Sequence, residues 1–234
     1  MTSTQGARRG NLGVLSGALF AILWVAGGFA QDFKVSDSGI DYPRPTDAAS
    51  AVQKWFDANG SAAAANSAVQ IVAAIALIIF AGSLASLVRT VRGSDAAASV
   101  AGTAGAVSAA MLLVGAAAQA GLGTDAASNE VTAQALYQVA FWAGGPLHVA
   151  TLGLMVVAGA VGLGVVLPKW LKISGIVVGS LALLAALSGV SQIFVAFTLF
   201  GRYLSFVWLL IVGISVALKR KSAGAPAAAA DARV

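Results

Sequence analysis

The chain has 234 residues, 59% of them hydrophobic and 10% charged, and its mean hydropathy is +0.87. A soluble domain carries about 25% charged residues, so the composition excludes a water-facing globule and suits a bilayer. The net charge of +5 does not signal nucleic acid, because the basic residues are split among short loops, and the absence of cysteine excludes disulfides, thiolate catalysis and cysteine-ligated metal.

Residues 1–11 form a polar tail carrying Arg8 and Arg9, followed by an apolar run over 12–30. This start resembles a secretory signal, with Gly28-Phe29-Ala30 approximating a cleavage site. Retention is the expectation, because the run is longer than a typical signal core and Gly13 and Gly17 share one packing face. The segment 31–62 is the longest between spans; Pro43 and Pro45 predict an extended loop, and Thr46-Asp47 predicts the cap of a helix stopping at Asn59-Gly60. Val52, Trp55 and Phe56 give that helix one apolar stripe, with Trp55 expected at headgroup depth.

The second span, 63–88, ends at Arg89 and Arg92. In the third, 97–121, Ala98, Gly102, Ala106 and Ala110 recur every four residues, predicting a small-residue face and a central helix. A helical pattern over 129–143 then meets Gly144-Gly145-Pro146, which predicts a kink before the fourth span, 146–167. The apolar stretch 170–218 has 49 residues, about 74 Å as one helix, more than twice the hydrocarbon thickness. It must fold back, and Gly201 and Arg202 place the turn at 198–203, between spans at 171–196 and 203–218. Gly175 and Gly179 repeat the packing signal in the fifth span, and 219–234 reads as a basic, then Ala-rich, disordered tail.

The loops alternate in charge. One side holds Arg8, Arg9, Arg89, Arg92, Lys169, Lys172, Lys219, Arg220, Lys221 and Arg233 against Asp95 and Asp231. The other holds Lys34, Arg44, Lys54 and Arg202 against Asp32, Asp37, Asp41, Asp47, Asp57, Asp125 and Glu130. Lys and Arg accumulate on the cytoplasmic side, so both termini are expected inside. The predicted fold is an all-α, polytopic membrane bundle of six transmembrane helices, 12–218, with two short extracytoplasmic helices. The abundance of Ala, Gly and Val points to a GC-rich bacterial genome, and hence to a plasma membrane.

No acid falls within the predicted spans, which argues against carboxylate-dependent ion coupling. The orientation places Asn66, Gln70, Gln119, His148 and Gln192 in the outer halves of spans, with Gln134 and Gln138 on the cap helix beside them. Interhelical hydrogen-bond glue is the first reading of this cluster, a vestibule or small-ligand pocket the second, catalysis or metal binding the last. One histidine without acids or cysteines does not complete a zinc site, no nucleophile-elbow motif accompanies it, and no cofactor is expected. Arg202 is expected to snorkel to the interface.

The basic-flanked first span, the outer Pro43/Pro45 segment, the 46–59 helix feeding a span that ends in Arg89 and Arg92, and Leu167-Pro168-Lys169-Trp170-Leu171 with Gly175 together carry a resemblance. The chain resembles the uncharacterised six-span integral membrane proteins common in actinobacteria. That resemblance covers most of the chain as architecture and implies no activity, substrate or cofactor. The functional expectation is a non-enzymatic accessory or scaffolding subunit, with a membrane-protein partner or a second copy packing on the small-residue faces. The alternative is a carrier, channel or receptor for a small polar or amphiphilic molecule.

Overall fold

The computed structural model describes residues 3–32, 35 and 40–223, and among them every regular element is a helix. The elements are α1 (Ser3–Asp32), α2 (Ala49–Arg89), α3 (Asp95–Leu122), α4 (Glu130–Trp142), α5 (His148–Gly162), α6 (Lys169–Leu183) and α7 (Val195–Ala223). Ala49–Arg89, Asp95–Leu122, Glu130–Gly162, Lys169–Gly189 and Gln192–Val216 are long and apolar enough to cross a membrane; the apolar part of α1, Leu15–Phe29, is a shorter sixth. The outward faces are hydrophobic, as at Ile71, Val72, Ile75, Ile78 and Ile79 of α2. In water such a face is costly, whereas in lipid it is the solvated one.

The helices run up and down and close into a ring: α1 packs on α2, α2 on α3, α3 on α5, α5 on α6, α6 on α7, and α7 on α1. Phe20, Leu77, Phe80, Leu84, Leu152, Met155, Phe206 and Trp208 fill the interior. The most widely connected span is α5, which touches α2, α3, α6 and α7, so the central place expected for α3 falls to α5. Small residues report how closely neighbours approach, not where a helix sits.

The small-residue face of α3 also differs from the expected one. Ala106 and Ala110 are exposed, and the buried row is Ala98, Ala101, Gly105, Ser108, Leu112, Gly115 and Gln119. At about 100° per residue, a strict four-residue repeat drifts by about 40° each step, whereas alternating steps of three and four hold one face. Gly102 is half-buried, and a Cβ there would sit 3.1 Å from Ala85 Cβ. The other packing glycines contact their own chain: Gly13 abuts Ser83, Gly17 abuts Phe80 and Gly175 abuts Trp208. Gly179 and Gly153 face each other so closely that a Cβ on either would lie 2.6 Å from the other's carbonyl oxygen.

Both expected short helices are present, each joined to the span that follows. Asp47 does not cap a helix; its Oδ2 accepts from the Arg44 N–H at 2.7 Å, closing a turn, and α2 begins at Ala49. Asn59 does not end it either. Its backbone leaves the helical region (φ −127°, ψ 23°), but its side-chain amide donates to the Trp55 carbonyl at 3.0 Å and the helix resumes. Between α4 and α5, residues Ala143–Leu147 form a π-helical turn with Gly145 at φ −105°, ψ −105°. Pro146 has no N–H to close a regular turn, and the two preceding glycines let the backbone widen around it.

The fold-back after α6 is not at 198–203. The chain reverses at Ser191, which is extended between two 3₁₀ segments, Leu184–Gly189 and Gln192–Phe194. Gly201 and Arg202 sit inside α7, where Gly201 lets the helix approach α6: a Cβ there would lie 2.6 Å from Ala182 Cα. The expected tail is helical as far as Ala223, and the remainder, 224–234, lies outside the described residues. The up-down course places Arg89, Arg92, Lys169 and Lys172 at one end, and Asp41, Asp47, Asp57, Asp125 and Glu130 at the other.

Candidate functional site

At the acidic end the bundle opens into a cavity of about 710 Å³. Its walls are Trp24, Gly28 and Gln31 of α1; Asn66 and Gln70 of α2; Gly115 and Gln119 of α3; Gly144 and Gly145 of the π-turn; and Val195, Thr198, Leu199 and Arg202 of α7. The roof is aromatic. Tyr42 meets Trp55, Phe56 and Tyr137 edge to face, with Tyr42–Trp55 ring centroids 4.8 Å apart, and Trp55 meets Phe56 likewise at 4.7 Å. The predicted stripe of Val52, Trp55 and Phe56 is thus the core of the roof, and Trp55, 1% exposed, lies inside the protein instead of among headgroups.

The cavity's two polar zones differ in kind. The first consists of side-chain amides from three helices. Gln31 Oε1 accepts from Asn66 Nδ2 at 2.7 Å and from Gln119 Nε2 at 3.3 Å. Gln70 Nε2 donates to Asn66 Oδ1 at 3.1 Å, and Asn66 Nδ2 also faces Gln119 Oε1 at 3.3 Å. Gly27 makes this possible, since a Cβ on it would lie 2.8 Å from Asn66 Oδ1. Each amide brings both donors and acceptors, so the four side chains pair with one another through bonds that use neither Gln31 Nε2 nor Gln70 Oε1. Asn66, Gln70 and Gln119 converge as the sequence suggests. Gln31 joins them because α1 continues through it, where the sequence reading places the start of a loop.

The second zone is a cation. Arg202 is 7% exposed. Its Nη2 donates to the Gly144 carbonyl at 2.6 Å, and its guanidinium carbon lies 4.4 Å from the centroid of the Trp24 ring. It does not snorkel, because its position in α7 is a full turn and more below the helix start at Val195. A guanidinium has five N–H donors and no acceptor. Among the described residues Gly144 O is the only acceptor given to it, no carboxylate pairs with it, and Nε is buried without a partner. Trp24 Nε1 and Thr198 Oγ1, on residues lining the same corner, are also buried and unpartnered. Asp41 is the sole acid among the described lining residues, and it is exposed.

Four expected members of the cluster lie elsewhere, and Gln134 is half-buried on α4 away from the cavity wall. Gln138 fastens the roof, donating to Pro45 O at 2.7 Å alongside the Tyr137 hydroxyl bond to Pro43 O. Gln192 is exposed in the connection between α6 and α7, because the fold-back comes earlier than the sequence suggests. His148 is fully buried outside the cavity, locked to Ser108 of α3. Ser108 Oγ lies 2.9 Å from both His148 Nδ1 and the His148 carbonyl, and Nδ1 lies 3.0 Å from the Ser108 carbonyl. The proton placement that uses both donors has the hydroxyl donating to one carbonyl and Nδ1–H to the other. That is an interhelical clasp. A serine beside a histidine invites a hydrolase reading, but both side chains are fully buried and neither lines the cavity.

Among the described residues no three His, Cys, Asp or Glu side chains come together as a metal site. Comparisons with family models, with curated proteins and with solved structures found no match for this chain.

Proposed function

We propose that this chain is a non-enzymatic, multi-pass protein of a bacterial plasma membrane that binds a small polar or amphiphilic molecule in the cavity at its acidic end. The observation that carries the reading is the cavity itself: about 710 Å³, within the range of small-molecule sites, mostly apolar and with a few converging polar groups. The concentration of Arg89, Arg92, Lys169 and Lys172 at the opposite end supports, by the positive-inside rule, a reading with that end and both termini in the cytoplasm. The cavity then faces outward, as a receptor or the outer site of a carrier requires. The packing glycines that suggest an accessory or scaffolding subunit are occupied by the chain's own helices at Gly13, Gly17, Gly175 and Gly179, which favours ligand binding over partner packing. The resemblance to six-span actinobacterial proteins remains compatible with this proposal.

Gly28 supplies the test. It lines the cavity, and a Cβ on it meets nothing within 4 Å, so Gly28→Trp fills the space without displacing a neighbour at its first carbon. Wild type and Gly28→Trp, purified from native membranes and extracted for mass spectrometry, should differ by a small molecule retained by the first and absent from the second. Equal retention by both, or none by either, contradicts the proposal.

A further inference from the structure

We propose that the cavity's ligand is an amphiphilic anion, its charged oxygen head held by Arg202 and its apolar body lying against the apolar wall beside it. The inference rests on the binding role proposed above and adds the ligand's charge and orientation.

Arg202 is the reason. Lys and Arg within spans are costly, and they generally face a cavity and pair with an acid or with backbone carbonyls. Arg202 has one carbonyl, that of Gly144, against five donors, and no ion pair among the described residues. Its position over the Trp24 ring, 4.4 Å from the centroid, holds the guanidinium without neutralising it. The same corner holds Trp24 Nε1 and Thr198 Oγ1, also buried and unpartnered. Arg202 Nε and Trp24 Nε1 can only donate, whereas the Thr198 hydroxyl can donate or accept, so the partner missing from the two nitrogens is an acceptor. A carboxylate or phosphate oxygen pair suits a guanidinium fork in a way that a neutral amide or alcohol does not.

The amide zone does not compete for that role, since its four side chains already pair with one another. The rest of the wall near Arg202 is apolar, with Val195, Leu199 and Phe141, which suits an acyl or aryl body. The shared chemistry, an anionic head on an apolar body, is met by an anionic membrane lipid and by a free fatty acid.

The test uses the full chain in nanodiscs of phosphatidylcholine alone. Bromine-labelled dodecanoate and bromine-labelled dodecanol are titrated separately, with quenching of tryptophan fluorescence as the readout, and Gly28→Phe, which fills the cavity without adding a tryptophan, reports partition into bilayer outside the cavity. The expected result is dodecanoate binding at least 10-fold tighter than dodecanol, lost in Gly28→Phe and weakened about 10-fold or more in Arg202→Gln. If Arg202→Gln does not fold, the acid-to-alcohol ratio on the unmodified protein decides alone. A second set of nanodiscs containing phosphatidylglycerol separates the sources: competition with dodecanoate assigns the lipid, and undiminished dodecanoate binding assigns the free acid. Equal, Gly28→Phe-sensitive binding of acid and alcohol overturns the anion assignment while leaving the cavity a binding site. Quenching that Gly28→Phe does not change for either probe overturns the cavity reading itself.

Discussion

Replacing Arg202 by methionine separates a residue that holds the fold from one that serves a ligand. The side chain makes one charge-assisted bond, 2.6 Å to Gly144 O, contributing about 1.5–3 kcal/mol. Its position over the Trp24 ring, 4.4 Å from the centroid, adds about 2 kcal/mol when desolvated. Methionine forfeits both, a loss of about 3.5–5 kcal/mol. It also removes an ion that is 7% exposed and lacks a carboxylate partner among the described residues, whose desolvation costs several kcal/mol. Loss and relief are of similar size, so the ligand-free Arg202→Met protein should match wild type to within about 2 kcal/mol. Reversible unfolding in mixed micelles, with sodium dodecyl sulfate as the denaturing component, measures the difference. A loss above about 4 kcal/mol would instead make Arg202 a structural clamp on the π-turn.

Packing and topology give three further predictions. Gly179→Ala places a Cβ 2.6 Å from the Gly153 carbonyl oxygen and 3.0 Å from Val157 N, backbone atoms that cannot rotate away; it should destabilise by about 2–3 kcal/mol in the same unfolding assay, whereas Gly82→Ala, with nothing within 4 Å of its Cβ, should stay within about 1 kcal/mol of wild type. His148→Ala empties a fully buried site and leaves Ser108 without the Nδ1–H donor to its carbonyl, for a loss of about 3 kcal/mol measured likewise. Because the chain has no cysteine, single cysteines report topology directly: Ser128→Cys, exposed at the acidic end, should react with a membrane-impermeant thiol reagent on intact cells, and Thr90→Cys, exposed at the basic end, only after permeabilisation.

The all-helical class and the alternating course of the chain were legible because they follow from composition and from where the charges fall. Two features of the site were not. Gly201 and Arg202 look like a turn within a long apolar stretch, since glycine and a charge normally mark one; inside α7 the glycine serves close packing and the charge is buried. A signal was present: a turn at 198–203 leaves a last span of 16 residues, 203–218, short of the roughly 20 that a crossing needs. Moving the fold-back to Gly189–Ser191 gives Lys169–Gly189 and Gln192–Val216, 21 and 25 residues, and puts Arg202 inside the helix, where an ionisable residue is a site candidate by default. Gln31 was hidden for a related reason. The chain next to it reads as loop, and nothing local to Gln31 reports that α1 carries it back against Asn66 and Gln119. The amides themselves were legible as a group, but periodicity could not tell cavity-facing Gln119 from His148, whose partner Ser108 lies 40 residues away.

A density map of the protein purified in native lipid should show non-protein density in the space between α1, α2, α3, the π-turn and α7, with its head against the Arg202 guanidinium. A cavity closed by protein side chains, with Arg202 turned outward to the lipid interface, would contradict ligand binding there.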